Sequence, residues 1–241
     1  MRISEDLITG AKLLGIALSQ NQITQFQTYA DFLIEQNVNL NLTSTKALED
    51  IESTHFLDSL TLFPFITNSF NPTPNLIDIG SGAGFPGIPL KICLPHLHVT
   101  LVEATAKKAA FLNQLISKLE LGNVSVITKR AEVLAHEPCF REQYLICTAR
   151  AVGSLPTVLE LTLPFVHVGG LVLSPRGIKA ESEAKESASS ASTLGGVIRS
   201  VNVVDERLLL GERSVITIEK LTNSPAHLPR RVGMAKKRPL V

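Results

Sequence analysis

The stretch "DIGSGAGFPGIPL", Asp78 to Leu90, carries four glycines in ten residues, with an acid ahead of them and a proline inside. Glycine permits positive φ and lets the backbone approach a ligand closely. The stretch follows "NLIDI", a short apolar run that reads as a strand, and leads into "PGIPLKICL", which reads as a helix. Pro86 suits the first turn of that helix, where its missing N–H costs little. A strand, a glycine turn and a helix N-terminus facing the ligand make up a cofactor site at the carboxyl edge of a sheet.

Downstream the alternation continues. "HVTLVE" is a second apolar run, and "AKKAAFLNQLISKLEL" is a strongly amphipathic helix ending at Gly122. "VSVIT" and "YLICTA" are the third and fourth runs, "SLPTVLELTLPFV" is helical, and "GLVLSPRG" is the fifth run. "VIRSVNVVDERLLLGERSVITIEKL" reads as two strands joined by a turn near Gly211. The pattern predicts an α/β fold, a mainly parallel sheet wrapped by helices and closed by an antiparallel strand pair. "KAESEAKESASSAS" reads as an exposed helix or loose connection with no chemistry of its own. Upstream, residues 1 to 70 are expected to form a helical cap, closed by the Asn- and Pro-rich "NSFNPTP". Residues 71–222 then hold the sheet, and 223–241 form a basic tail packed on or beside the site.

Bulk composition narrows the class. The 241 residues are 44% hydrophobic and 19% charged, which fits a well-filled core and excludes a disordered chain. The three cysteines, Cys93, Cys139 and Cys147, show no CxxC spacing, so neither a disulfide framework nor a zinc site is expected, and a cytoplasmic location is. His96 and His98 have no carboxylate or thiol partner nearby in sequence, so no metal is expected. The N-terminus carries acids at positions 5 and 6 and reads as a helix, not a signal peptide, and no apolar run is long enough to span a bilayer. A monomer is expected.

Two ligand classes compete for the glycine loop. Gly82, Gly84 and Gly87 fit GxGxxG, and Glu103 ends the second strand 19 residues after Gly84, placed to bind ribose hydroxyls. NAD and S-adenosylmethionine both carry an adenosine ribose, so Glu103 does not separate them. Asp78 does better. An acid two residues before Gly80, Gly82 and Gly84 matches the first motif of class I methyltransferases, in which the loop meets a cationic amino-acid moiety and no pyrophosphate.

The chain as a whole resembles the RsmG (GidB) family of bacterial 16S rRNA guanine-N7 methyltransferases, from about residue 20 to the end. "NLTS" at 41–44, "HFLDSL" at 55–60, "GFPGIPL" within the loop, "EATAKKAAFL" at 103–112, "RAE" at 130–132, "ARAVGSL" at 149–155 and "LPRRVGMAKKRPL" at the end carry the resemblance. It implies a class I S-adenosylmethionine-dependent methyltransferase fold, Rossmann-like, with a mainly parallel seven-stranded sheet, an antiparallel last strand and an N-terminal helical extension. It implies S-adenosylmethionine contacts at Asp78, Gly80, Gly82 and Phe85. Glu103, Ala104 and Thr105 are expected at the ribose, Ala131 and Glu132 at the adenine, and Arg150 at the junction with the substrate. The implied partner is 16S rRNA or the small ribosomal subunit, with Asn41, His55, Arg176, Arg230, Arg231, Lys236, Lys237 and Arg238 as RNA-binding candidates. The chain departs from the family at Gln36, where a Trp is frequent, at Arg176-Gly177 in place of Lys-Gly, and at Met234-Ala235 in place of Thr-Pro.

Single residues also admit plainer roles. Arg150, the one catalytic candidate, is expected to orient the guanine or organise the cofactor; otherwise it forms a salt bridge to Asp78 or Glu132. His55 and Asp58 lie three apart on one helical face, and His55 serves either the substrate or a buried hydrogen bond. Asn41 lines the cleft or caps the next helix. Cys147 belongs to the core. The last fifteen residues hold five cations and no acid, and two prolines and a glycine are expected to keep them extended. Beside such a site the cations point to RNA phosphates. Guanine N7 has an in-plane lone pair and no proton, so the reaction needs positioning at about 3–3.5 Å and no general base. That agrees with the absence of an acid–base pair and of an [Asn/Asp]-Pro-Pro-aromatic motif after the fourth strand. Three further functions fit the residues alone: a methyltransferase of another RNA site or of a small molecule, an NAD-binding oxidoreductase, and a non-catalytic RNA-binding protein.

Overall fold

The computed structural model describes residues 3–69, 74–208 and 211–241. The N-terminal part is helical, with α1 (Glu5–Leu13), α2 (Gln20–Leu40), α3 (Thr45–Glu49), a π-helical turn (Glu52–Leu57), α4 (Asp58–Leu60) and α5 (Phe63–Ser69). Ser19 opens α2 with a reciprocal capping box to Gln22. Asn41 does not cap the next helix. It ends α2 in the left-handed region, φ 47, and Ser44 caps α3. The expected boundary at "NSFNPTP" falls mostly on 70–73, outside the described residues.

The alternating segment follows. It comprises β1 (Asn75–Ile79), α6 (Gly87–Cys93), β2 (His98–Val102), α7 (Ala106–Lys118), β3 (Val124–Ile127), α8 (Ala131–Leu134), β4 (Tyr144–Ala149) and α9 (Leu155–Thr162). Then come β5 (Val166–Arg176), α10 (Ala180–Glu186), α11 (Ala188–Thr193), β6 (Gly196–Val203), β7 (Ser214–Lys220) and α12 (Met234–Lys237). The seven strands form one sheet in the order β3-β2-β1-β4-β5-β7-β6. β1 to β5 run parallel, and β7 is antiparallel to both its neighbours. The order reverses between β1 and β4, so the loops after Ile79 and Ala149 flank the crevice where such sheets bind ligands.

Side chains alternate across the sheet and build two cores. Leu76, Leu101 and Leu173 face the N-terminal helices together with Phe26, Tyr29, Phe56 and Phe111. Ile77, Cys147, Val172 and Ile216 face the other way, onto α9 to α11. Burial of each such large apolar side chain contributes about 1.5–3 kcal/mol, so the helical segment is welded to the sheet by its own core.

Three expectations are corrected. β5 begins at Val166, not Gly170: its pairing jumps from Tyr144↔Val166 to Ile146↔Leu171, and Gly169 (φ +88) and Gly170 supply the bulge. Of its two expected forms the Ala/Ser-rich segment takes the helical one, but it is not simply exposed. It forms α10 and α11, whose buried Ala180, Ala184, Ser190 and Ala191 let the helices lie close to the sheet. The tail is not extended throughout: α12 makes one helical turn with Ala235 buried, and the Ala235 carbonyl accepts from Thr157 Oγ1 at 3.0 Å.

Two cations, the half-buried Arg141 and the buried Lys220, hold the start of the tail, Lys220 through Ser224. Arg141 donates to the carbonyls of Ala135, Ser224, Pro225 and Leu228 at 2.8–3.1 Å. Lys220 Nζ donates to Leu163 and Leu194 carbonyls at 2.8 and 3.3 Å, and burial pulls its pKa down to about 8. Arg141→Ala removes a donor from four carbonyls, of which Pro225 keeps the Leu228 N–H. It is expected to cost about 2–4 kcal/mol in urea unfolding and to loosen residues 224–238 in hydrogen exchange, with the sheet amides still protected.

Candidate functional site

The loop after β1 is shaped by its own hydrogen bonds. Gly80 and Ser81 N–H both donate to the Val102 carbonyl, at 2.8 and 3.1 Å. Gly80 and Gly82 hold φ +71 and +57, a region that disfavours a side chain. Gly87 packs so closely that a Cβ there would lie 2.6 Å from Leu101 Cδ2. Asp78 is fully buried, and its Oδ2 accepts the Gly87 N–H at 3.0 Å. The first amide of α6 therefore faces Asp78 and not a ligand, which corrects the expected helix-terminus contact. Asp78 Oδ1 is buried with no partner, and burial raises the carboxyl pKa to about 7.

Glu103, at the end of β2, reaches back to the loop. Its Oε2 accepts the Gly82 N–H at 3.1 Å and its Oε1 the Thr105 N–H at 2.7 Å. Each oxygen keeps a second lone pair for a ligand hydroxyl. Thr105 itself is exposed at the start of α7 and does not line the two cavities described next.

Two cavities meet at Gly80, Glu103 and Val152. The first, about 390 Å³, is lined by Glu103, Ala104, Ala131 and Glu132, and on the far side by Val232, Gly233 and Lys236 of the tail. Glu132 Oε1 accepts the Gly233 N–H at 2.9 Å, so this acid closes the wall. The second, about 290 Å³, is lined by Gly80, Gly82, Phe85, Glu103, Lys108 and Arg150, with Thr43 and His55 from the helical segment. The sizes suit a nucleoside and its short extension.

Arg150 closes the second cavity. Its Nη1 donates to Asp58 Oδ2 at 2.7 Å and to the Thr54 carbonyl at 3.1 Å, and its Nη2 meets His55 Nδ1 at 2.6 Å. The salt bridge is thus to Asp58, and not to Asp78 or Glu132, which Gly87 and Gly233 already occupy. A guanidinium has no lone pair to offer, so His55 Nδ1 is the acceptor and Nε2 carries the hydrogen, which it donates to Thr43 Oγ1 at 2.8 Å. Burial and the neighbouring Arg150 charge lower the His55 pKa to about 3. The imidazole stacks on Phe85, centroids 4.5 Å apart, and Phe85 stacks on Tyr29 at 5.2 Å.

The remaining candidates divide. Arg176 donates from Nη1 to the Gly153 carbonyl at 2.7 Å and lines a third cavity with Arg150. Arg230 is held in a fork by buried Glu160, at 2.9 and 2.6 Å, so its charge is met inside the fold. Arg231, Lys236, Lys237, Arg238 and Asn41 are exposed. Thr43, Lys108, Val152, Val232 and Arg213 also line the cavities; the first four lie within the quoted motifs, which do not single them out, and Arg213 lies in no motif, because only the tertiary fold joins these loops. Among the described residues no cluster of His, Cys, Asp or Glu is arranged to hold a metal, and no helix is long and apolar enough to cross a membrane.

This strand order with its antiparallel β7 is the class I S-adenosylmethionine-dependent methyltransferase fold. The AdoMet complex of M. jannaschii TYW2 superposes with a TM-score of 0.53 over 68% of this chain and 77% of its own, at 16% identity. MtNAS in complex with MTA and tNA gives 0.54 over 81% and 71%, at 15% identity. Residues 22–216 match the family model GidB, rRNA small subunit methyltransferase G. The ribosomal RNA small subunit methyltransferase G of Roseiflexus castenholzii is 44% identical over 98% of this chain and 100% of its own. Those of Dehalococcoides mccartyi (strain CBDB1) and Bacillus subtilis are 41% and 37% identical, over 98% of this chain and 99% and 98% of theirs. The chain belongs to the rRNA small subunit methyltransferase G family.

The site has a pH signature. The folded-state pKa of His55 lies below its unfolded value of about 6.5, so its contribution is complete above that value and is lost as pH falls toward 3. Asp78 acts oppositely: its raised pKa favours folding below about 4 and loses that contribution as pH rises through 7. His55→Gln removes only the first effect. The stability gap between wild type and variant is therefore expected to shrink by about 2 kcal/mol between pH 6.5 and 5 in urea titrations. A gap that stays constant contradicts the assignment of a buried neutral imidazole.

Proposed function

We propose that the protein transfers the methyl group of S-adenosylmethionine to N7 of a guanosine in the decoding region of 16S rRNA, in the cytoplasm, acting as a monomer without a metal. Residues up to 70 serve as the cap, 71–222 as the catalytic unit and 223–241 as the tail. When bound, S-adenosylmethionine supplies a methyl on a sulfonium, open to in-line displacement by a nitrogen lone pair.

The protein's groups suit that cofactor. Glu103 and Ala104 border the first cavity for the ribose, and Ala131, Glu132 and the tail border it for the adenine. Gly80 and Gly82 leave room for backbone approach, and the unpartnered Oδ1 of Asp78 gives the loop a buried acceptor without a hydrogen-bond donor from the chain. A positive ligand nearby favours ionised Asp78, so affinity is expected to rise with pH through about 7.

One observation carries the choice of reaction: among the described residues, no imidazole or carboxylate that borders the second cavity stands without a hydrogen-bond partner. The His55 lone pair is spent on Arg150, Asp58 is paired with Arg150, and both Glu103 oxygens are tied to backbone amides. Guanine N7 carries no proton, so the site needs only to hold the base in line and exclude water. The fork of Arg150, fixed from three sides, suits the work of orienting the base.

The test is transfer of labelled methyl from S-adenosylmethionine to small-subunit RNA that lacks the modification, with nucleosides identified by mass spectrometry. Label in 7-methylguanosine at one position is expected; label in another nucleoside, or none, overturns the reading. Arg150→Lys keeps the charge and loses the fork, and is expected to lower kcat/KM by about 10–100-fold while the cofactor Kd changes less than threefold by calorimetry.

A further inference from the structure

A third cavity, about 380 Å³, opens beside Arg150 on the side away from the glycine loop. It shares His55, Arg150 and Ala151 with the second cavity, so the two meet at Arg150. Three guanidinium groups line it, from Arg150, Arg176 and Arg213, against the carboxylates of Asp58 and Glu183. His55 is neutral and adds no charge. The cavity therefore holds one more cation than anion.

The arginines are not saturated by the protein. Arg176 is largely buried: its Nε donates to Ser174 Oγ at 3.1 Å and lies 3.4 Å from Glu183 Oε2, but its Nη2 is buried with no partner. Buried donors are paired as a rule, and an orphan marks a place for a ligand acceptor. Arg213 stands just before β7, three places from β1 in the strand order. It approaches Asp58 Oδ1 with Nε at 3.4 Å, beyond normal hydrogen-bond length, and its side chain is 40% exposed. Asp58 thus faces two arginines, holding Arg150 tightly through one oxygen and Arg213 loosely through the other.

From this geometry we infer that the third cavity is a phosphodiester subsite for the RNA strand next to the reacting base, with Arg213 and Arg176 as its ligands. The inference rests on the RNA reading of the adjoining cavity and adds to it Arg213, a residue no motif marks. A phosphate oxygen satisfies Arg176 Nη2 and competes with Asp58 for the loosely held Arg213. Arg150 would then stand between phosphate and base, its own carboxylate bond intact. The cavity also links the last strand pair and α10 to the reaction centre, which gives Glu183 a place opposite Arg176.

The test compares wild type, Arg213→Gln and Arg213→Lys in the full-length protein. Binding of a fluorescent single-stranded RNA carrying the target sequence is titrated across salt concentrations, and methyl transfer is measured separately. One lost phosphate contact predicts that Arg213→Gln lowers the slope of log K against log salt by about 0.7 and weakens binding about tenfold at low salt. Arg213→Lys should restore the slope. Cofactor affinity should stay within twofold in both variants. An unchanged RNA slope overturns the inference, and so does a fall in cofactor affinity with RNA binding intact, which would assign the cavity to the cofactor carboxylate. Inorganic phosphate and guanosine 5′-monophosphate serve as competitors. If either displaces the RNA at micromolar concentration, the cavity is a free-phosphate site and the inference falls. Absence of methyl transfer by the wild type, with the salt-slope change present, would remove the proposed reaction and leave the phosphate subsite standing.

Discussion

The contact between Arg150 and the π-helical turn holds the site together. Arg150 directly follows β4, at the reversal of strand order, while Thr54, His55 and Asp58 belong to the helical segment nearly a hundred residues earlier. A guanidinium that donates to a carboxylate, an imidazole and a carbonyl fixes three groups in one plane-like fork. It sets the His55 tautomer, passes that choice to Thr43, and presses the imidazole onto Phe85 of the glycine loop. Without that fork the helical segment would still share a core with the sheet, but nothing would align its polar residues with the loop.

The same economy runs through the cofactor side. Asp78 anchors the far end of the glycine loop through Gly87, and Glu103 anchors its middle through Gly82. The proposed ribose contact and the loop shape therefore rest on one carboxylate. Glu132 does the corresponding work for the tail by accepting the Gly233 N–H. In each case an acid that sequence reasoning assigns to a ligand is bonded to backbone, and the proposed ligand role is left with the remaining lone pairs.

Much of this was legible in the chain. The five parallel strands, the glycine loop and the acid ending β2 each announce themselves locally, through apolar runs bounded by glycine and through spacing. What stayed hidden depends on tertiary neighbours. The partner of Arg150 could not be read: Asp78 and Glu132 were the two acids expected, and only folding places Asp58 within reach. The tail's cations look alike in sequence, yet Glu160 takes Arg230 while Arg231, Lys237 and Arg238 remain exposed. The helices 180–193 read as solvent-facing because alanine and serine are weak signals of burial, although small residues are what close helix–sheet packing requires. Arg213 had no motif at all.

The central claim is that the reaction centre works without a general base. The most direct measurement is the pH dependence of kcat for RNA methylation at saturating cofactor and RNA, between pH 6.5 and 8.5. A centre that only positions a proton-free nitrogen gives a flat profile across that range. A rise of about tenfold per pH unit would mean that a group must lose a proton before transfer, and would contradict the account.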